Sequence, residues 1–409
     1  MKVIESFAAD FKSTLKFSNK KLKNIRIKAF EDFKNKGLPT RKQEFWKYSD
    51  PSIIKNLNLE IVDHYENQIS NAEDYDIILV NGKIIKKNNR IKTGNIMEGL
   101  ENGEINVNLL KNKRNPFISL NNAFIINGCY ILTEENSNQT IKILHHINNN
   151  GKKQAVHPKL IIIAGKNSNS VIFETWQIEG KGISFVNSAT DLILENGAKL
   201  EQIILDDFAE DTYHISNVSV QQKKDTTFIS NNFTIGKIFS RRDFFVELLK
   251  TGAHCDLNGL YLTEKNNHID HHTIIEHKMA HCTSNEHYKG ILDGNSTAVF
   301  NGRIHVHPNA QKTDAIQNNQ NLLLSDDAII HTKPELEIYA DDVKCTHGAT
   351  VGPLDEKAIF YLKTRGLNQK KAQELLMEAY IREVIEKIGE KNIRNEVIQI
   401  ALERLPKGL

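Results

Sequence analysis

Cys345 and His347 stand two residues apart in the stretch YADDVKCTHGATVG, Tyr339 to Gly352. On an extended strand, residues two apart share a face. They lie about 6.6 Å from each other at ~3.3 Å per residue. A thiol and an imidazole that look the same way are donors for soft and borderline metals. The pair is half a site, because a closed tetrahedral metal centre takes four ligands. On spacing alone, packing and ligation both stay open. His305 and His307 form a second i, i+2 pair. Eleven of the sixteen histidines fall between His254 and His347, with a dense tract, HIDHHTIIEHKMAHC, at His268 to Cys282. Its spacings are irregular and contain no HExxH or zinc-type Cys/His pattern. These histidines therefore read as structural or partner-facing, with metal ligation as the sharper alternative.

Several chemistries are missing. No Gly-x-x-x-x-Gly-Lys-Ser/Thr loop cradles a nucleotide, no GxGxxG follows a strand, and no GxSxG elbow presents a nucleophile. Acids occur in adjacent pairs, Asp206-Asp207, Asp326-Asp327 and Asp341-Asp342. Neighbours on a strand point to opposite faces, so such pairs make poor catalytic dyads and read as turns and solvated edges.

Charge sets a further bound. The chain has 409 residues, 53 Lys and Arg against 51 Asp and Glu, and a net charge of +2. That balance argues against nucleic acid or an anionic membrane as a partner held by bulk charge. No 18-residue apolar run is present. Residues 1–30 lack the apolar core and cleavage site of a signal peptide, so a cytoplasmic protein is expected. Cys129, Cys255, Cys282 and Cys345 fit neither a CxxC site nor a disulfide framework, and free thiols are expected.

The elements that would position these groups fall into four stretches. Residues 1–54 read as a helical region, with Phe7 and Phe11, then Leu22, Ile25, Ala29, Phe30 and Phe33, at helical spacing. Gly37 and Pro39 stop it. Phe45, Trp46 and Tyr48 read as aromatics that dock this region on the body, or as a partner contact. Residues 55–115 read as a mixed α/β linker. From 116 to 353, short apolar runs cut by Asn, Gly and Asp predict many short strands and almost no helix. Asn258-Gly259 recurs as Asn301-Gly302, 43 residues on, which suggests two solenoid coils of about 20–25 residues each. A sandwich or a barrel fits the same texture. Residues 354–409 read as a C-terminal helical domain, with Asp355 as an N-cap, stops at Gly366 and Gly389, and a wide apolar stripe that includes Leu375, Leu376 and Tyr380.

Three ordered segments carry a family resemblance. PELEIYADDVKCTHGATVG, Pro334 to Gly352, resembles the hallmark segment of the SufB/SufD family, scaffold proteins of the SUF iron–sulfur cluster assembly system. GLPTRKQEFWKYSD, Gly37 to Asp50, and LDEKAIFYLKTRGLNQKKAQELL, Leu354 to Leu376, resemble its N-terminal and C-terminal segments. Gly348 and the Leu-Pro-Thr run are more similar to the SufD branch. The resemblance implies a mainly β fold, a right-handed parallel β-helix flanked by N-terminal and C-terminal helical regions. It implies a non-catalytic subunit that pairs with a SufB paralogue and the SufC ATPase, helps build clusters and supports iron acquisition. It places Cys345 and His347 at the subunit interface, where an iron–sulfur cluster is expected in the complex and none is held tightly by the isolated chain. It gives the ATPase contact to the C-terminal helices, with Tyr361, Leu375, Leu376 and Tyr380 as candidates. Deletion of residues 368–409 is then expected to abolish ATPase binding and spare the β unit. Alone, the chain is expected to form a homodimer through the end of that unit. The alternatives are a SufB-like scaffold that ligates the cluster directly and a carbohydrate-active β-helix enzyme.

Overall fold

Every coil from Asn136 onward turns at a residue in the left-handed region. Asn136, Asn167, Gly197, Asp225, Gly252, His281 and Lys312 all have positive φ, 54° at Asn167 and 71° at Gly197. Glycine, asparagine and aspartate tolerate this conformation best, which explains why those three residues punctuate the apolar runs. The corners stack. The Asn167 N–H donates to the Asn196 carbonyl of the next coil at 3.0 Å, and the Lys312 N–H to that of Asp342 at 2.7 Å.

The computed structural model describes residues 2–406 apart from 19, 58, 62–68, 70–71, 112–113, 126–127, 208–210 and 237. Among these, the strands form two sheets of 11 and 10 strands. Each coil contributes one strand to each sheet, and coil-to-coil pairing is parallel throughout. The result is a parallel β-solenoid. The first sheet ends on Ile329–Ile338 and the second on Lys344–Gly352.

A coil takes between 26 and 32 residues, from Tyr213 opposite Phe239 to Thr297 opposite Ile329. This corrects the coil length suggested by the Asn-Gly recurrence. Asn258-Gly259 lies in the second sheet and Asn301-Gly302 in the first, so the echo spans one and a half coils. Both glycines face the interior, where rings need room. A Cβ on Gly259 would meet the Tyr288 ring at 2.1 Å, and one on Gly302 would meet the Gln317 amide at 2.1 Å.

The interior between the sheets is apolar over most of its length, with Leu200, Ile204, Phe228, Leu257, Val246 and Ile275 all buried. The outer faces are covered on both sides. Phe7, Phe30, Phe33, Trp46 and Phe117 pack on Phe185, Ile215 and Phe239 of the first sheet. Met377, Ile381, Val384, Ile385 and Val397 pack on Phe233, Leu260, Leu262 and Ile291 of the second. The N-terminal helices, Lys2–Thr14 and Lys20–Lys36, are joined by buried Arg26, whose guanidinium donates to the carbonyls of Ala123 at 2.7 Å and Thr14 at 3.0 Å.

The first strand of the residue 116–353 stretch is Cys129–Leu132. Pro116–Ala123 is a helix, where the sequence texture suggests strands. Its start has two local causes. The Asn115 side chain accepts from the Ile118 N–H, and proline holds the first turn.

Candidate functional site at the open end of the solenoid

The two ends of the solenoid differ. At the first end, the short strands Lys83–Lys87 and Lys92–Asn95 pair antiparallel with Ile77–Val80 and Cys129–Leu132 and become the outer edges of the two sheets. Short, lysine-bearing edges of this kind resist further pairing. At the other end, Ile329–Ile338 and Lys344–Gly352 each pair on one side alone among the described residues. Such edges present unpaired N–H and C=O groups to whatever approaches.

Hydrogen-bond parity shows which groups these are. The N–H groups of Ile329 and Tyr339 donate inward to Ser296 and Val306. The even-numbered residues between them therefore direct N–H and C=O outward. Pro334 occupies one of these outward positions, where its missing N–H costs the ladder nothing. In Lys344–Gly352 the Lys344 N–H donates inward to Thr313. Cys345, His347, Ala349 and Val351 therefore direct their backbone groups to the open edge.

Their side chains face the interior. Cys345 is half-buried and packs, beside Leu336 and Val343, on the cluster of Ile304, Val306, Ala310 and Ala315. Burial, and then the nearby Asp314 carboxylate, push its thiol up from its ordinary value, so it is protonated at neutral pH. Thiolate ligation would therefore release a proton. His347 shares this face and is exposed, because no further coil covers it. Cys129, Cys255 and Cys282 are buried and free. Burial pushes the Cys129 thiol up to about 12. Cys345 is the thiol nearest solvent.

Behind His347 in register lie Gln317 and then Glu286, both fully buried. The Gln317 amide donates to the Glu286 carboxylate. Burial raises the Glu286 carboxyl from 4.5 to about 7, against the lowering effect of Thr273 and Gln317. A carboxyl with a raised folded-state value favours the fold below pH 4.5 and loses that contribution as pH rises through 7. At ~1.4 kcal/mol per pH unit between the two values, the loss is on the order of 3 kcal/mol by pH 8. Glu286→Gln is expected to melt higher than the wild type at pH 8 and to lose that advantage at pH 4. Parallel melting shifts at both pH values would refute this.

Deeper in the interior, Arg242 donates to the Asp206 carboxylate at 2.8 Å and to the side-chain amide oxygen of Asn232 at 2.9 Å. Asp207, its neighbour in sequence, points outward to Arg404 at 2.9 Å. The opposite-face reading of this acid pair holds, but the reading as a turn or solvated edge does not, because Asp206 lies within a strand, fully buried and paired with Arg242. Asp341 and Asp342 are exposed, and Asp342 pairs with Lys312.

The histidine tract is divided by strand alternation. His271 points into the interior, while His268 and His272 point outward to Ser49 at 2.8 Å and Asp270 at 2.9 Å. The aromatics of residues 45–48 do dock the N-terminal region. The Arg241 guanidinium lies 3.8 Å from the Trp46 ring centre and donates to the Phe45 carbonyl, and Tyr48 stacks on His331 at 3.9 Å.

The C-terminal helices are Glu356–Thr364, Gln369–Ile385 and Lys391–Glu403. Asp355 and Asn368 cap the first two with side-chain oxygens. Tyr361 and Leu375 are exposed, at 57% and 43%. Leu376 and Tyr380 instead pack against the core shared with the second sheet, and the Lys289 ammonium sits 4.2 Å from the Tyr380 ring centre. Phe360, 69% exposed, is absent from the sequence candidates. It stands beside Tyr361 on the same helix, and the two rings together make an exposed aromatic patch. The shared core also revises the truncation experiment. Deleting 368–409 would strip Phe233, Leu260, Leu262 and Ile291 of their cover, so the β unit would not be left intact.

Comparison with known proteins agrees with this architecture. Residues 145–380 match the SUF system FeS cluster assembly SufBD core domain, and residues 2–143 match the SufBD protein N-terminal region. The chain is 28% identical to the iron–sulfur cluster assembly protein SufD of Escherichia coli over 382 residues, covering 91% of this chain and 90% of that one. It is 25% identical to an iron–sulfur cluster assembly SufBD family protein of Synechocystis, covering 88% and 86%. It is also 25% identical to the chloroplastic protein ABCI7 of Arabidopsis thaliana, covering 92% and 84%. With core and N-terminal regions matched in order along a solenoid of this form, the chain belongs to the SufBD family of the SUF iron–sulfur cluster assembly system.

Proposed function

We propose that this chain is a non-catalytic, SufD-like subunit that pairs through the open end of its solenoid with a SufB paralogue and carries the SufC ATPase on its C-terminal helices. Cys345 and His347 contribute to a cluster-building site at the joint, and the complex works in the cytoplasm and supports iron acquisition. The observation that carries this reading is the asymmetry of the ends: one is edged by short strands that carry lysines, and the other by long parallel strands, the last of which holds Cys345 and His347. Neither residue completes a metal site. A second solenoid added across the edge would supply both backbone partners and the missing donors. The cluster is cargo of the assembled complex, with none held tightly by the chain alone. Without its paralogue, the edge would take a second copy of this chain and form a homodimer. No helix among the described residues is long and apolar enough to cross a membrane. The carbohydrate-enzyme alternative loses ground, because helices cover both outer faces of the central coils.

Co-expression with the paralogue and the ATPase tests the reading. The wild type is expected to co-purify with both. Ala349→Pro removes one outward N–H and leaves the inward ladder whole; it is expected to lose the paralogue. Phe360→Glu with Tyr361→Glu places two charges on an exposed apolar patch and is expected to lose the ATPase. Buried aromatic anchors at interfaces are commonly worth 2 kcal/mol or more, about 30-fold in affinity. Unchanged capture of both partners by both variants would overturn the assignment of these surfaces.

A further inference from the structure

We propose that Glu276, His305 and His307 form a binding site for one divalent first-row transition-metal ion, on the outer face of the first sheet. The site is separate from the open edge and does not rest on the function proposed above. Glu276 and His305 are direct neighbours in register on adjacent coils, Thr297–Val306 pairing with His268–His277. His307 follows the end of the strand that carries His305. The His305 Nδ1 lies 3.0 Å and the His307 Nε2 2.5 Å from the same carboxylate oxygen, Oε2 of Glu276. One donor atom from each residue lies within 4.8 Å of the others. The two imidazoles stack with centres 4.2 Å apart.

Two histidines and one carboxylate that converge from one side are a ligand set for divalent transition metals, with the remaining positions open to water. All three residues are half-buried, which holds their geometry and leaves the donors reachable.

The neighbouring carboxylates show what sets Glu276 apart. Glu247, beside it in register, is neutralised by Arg114 at 2.8 Å and Lys278 at 2.6 Å. Glu337, beside His305 on the other side, faces Arg303 at 3.4 Å. Among the described residues, the ion-pair partners of Glu276 are the two imidazoles, with no lysine or arginine. Three carboxylates line one column, and the one without a lysine or arginine is the one facing two histidines.

The surroundings also hold the ligands in place, as second partners do in metal sites. The Tyr339 ring packs edge-on against His305 at 5.5 Å. The His307 N–H donates to the His277 carbonyl at 3.0 Å, and its own carbonyl accepts from Ala310 at 2.9 Å.

The test is equilibrium binding of Zn2+ to the full chain, with Co2+ absorption as a second readout. Cys345→Ala and His347→Ala are built into the background so that the open edge does not contribute. One equivalent of Zn2+ is expected, together with visible Co2+ bands. Glu276→Gln and His305→Ala are each expected to weaken binding by more than the roughly 10–100-fold that loss of an outer partner costs. His281→Ala removes an exposed histidine elsewhere and is expected to leave affinity unchanged. Circular dichroism confirms that each variant is folded. The proposal fails if the folded background chain binds neither ion. It also fails if Glu276→Gln and His305→Ala bind as tightly as that background, or if His281→Ala weakens binding equally.

Discussion

His347→Ala is expected to leave the assembled complex intact and to remove most of its iron and acid-labile sulfide when isolated without oxygen. The side chain is exposed on the lumen-facing side of the last strand, where it supports no packing. Its loss should therefore cost little stability. An edge ligand that completes a shared site has no substitute nearby, since the residues behind it, Gln317 and Glu286, are buried and bonded to each other. Loss of one ligand is expected to lower cluster occupancy by about tenfold or more. Cys345→Ala should show a larger stability cost and a comparable cluster defect, because its thiol packs partly against the cluster of Ile304, Val306 and Ala315. Iron and sulfide analysis of each purified complex decides the matter. Full cluster load in both variants would make the pair packing residues and would sink the interface site, even if the partners still assemble.

Arg242→Met is expected to be the most damaging single change in the interior. The guanidinium and the Asp206 carboxylate are both buried between the sheets. Removing the guanidinium takes the cationic partner from the buried Asp206 carboxylate, which keeps the His214 imidazole at 3.5 Å, at a cost of about 3–5 kcal/mol. Total stabilities are about 5–15 kcal/mol. Arg242→Met combined with Asp206→Leu removes both charges and is expected to recover most of the loss, since an apolar replacement of a buried pair is often neutral. Urea denaturation of the two variants beside the wild type measures this. Equal midpoints for Arg242→Met and the wild type would show that the pair is solvated or dispensable.

The sequence by itself determined what depends on near neighbours in the chain. Strand alternation is local, so Cys345 and His347 share a face and Asp206 and Asp207 do not. Left-handed corners follow largely from residue type, so Asn, Gly and Asp mark most of the coil ends, with His281 and Lys312 at two others. Helix caps are made within a few residues, so Asp355 and Asn368 start the helices that their side chains cap.

The tertiary structure decided what depends on register between distant segments. Coil length varies with each corner, so a 43-residue echo spanned one and a half coils and joined opposite sheets. Glu276 meets His305 because one coil happens to bring them level, and nothing in either local sequence signals it. The apolar stripe of the C-terminal helices looked uniform. Only contact with Phe233, Leu260 and Leu262 divided it into covered Leu376 and Tyr380 and uncovered Leu375, beside Phe360 and Tyr361 on the preceding helix. The difference between the short lysine-bearing edge and the long parallel edge of the solenoid was equally hidden. An edge exists only relative to the strands that pair or fail to pair with it, and backbone pairing over such distances leaves little trace in residue type beyond a proline such as Pro334.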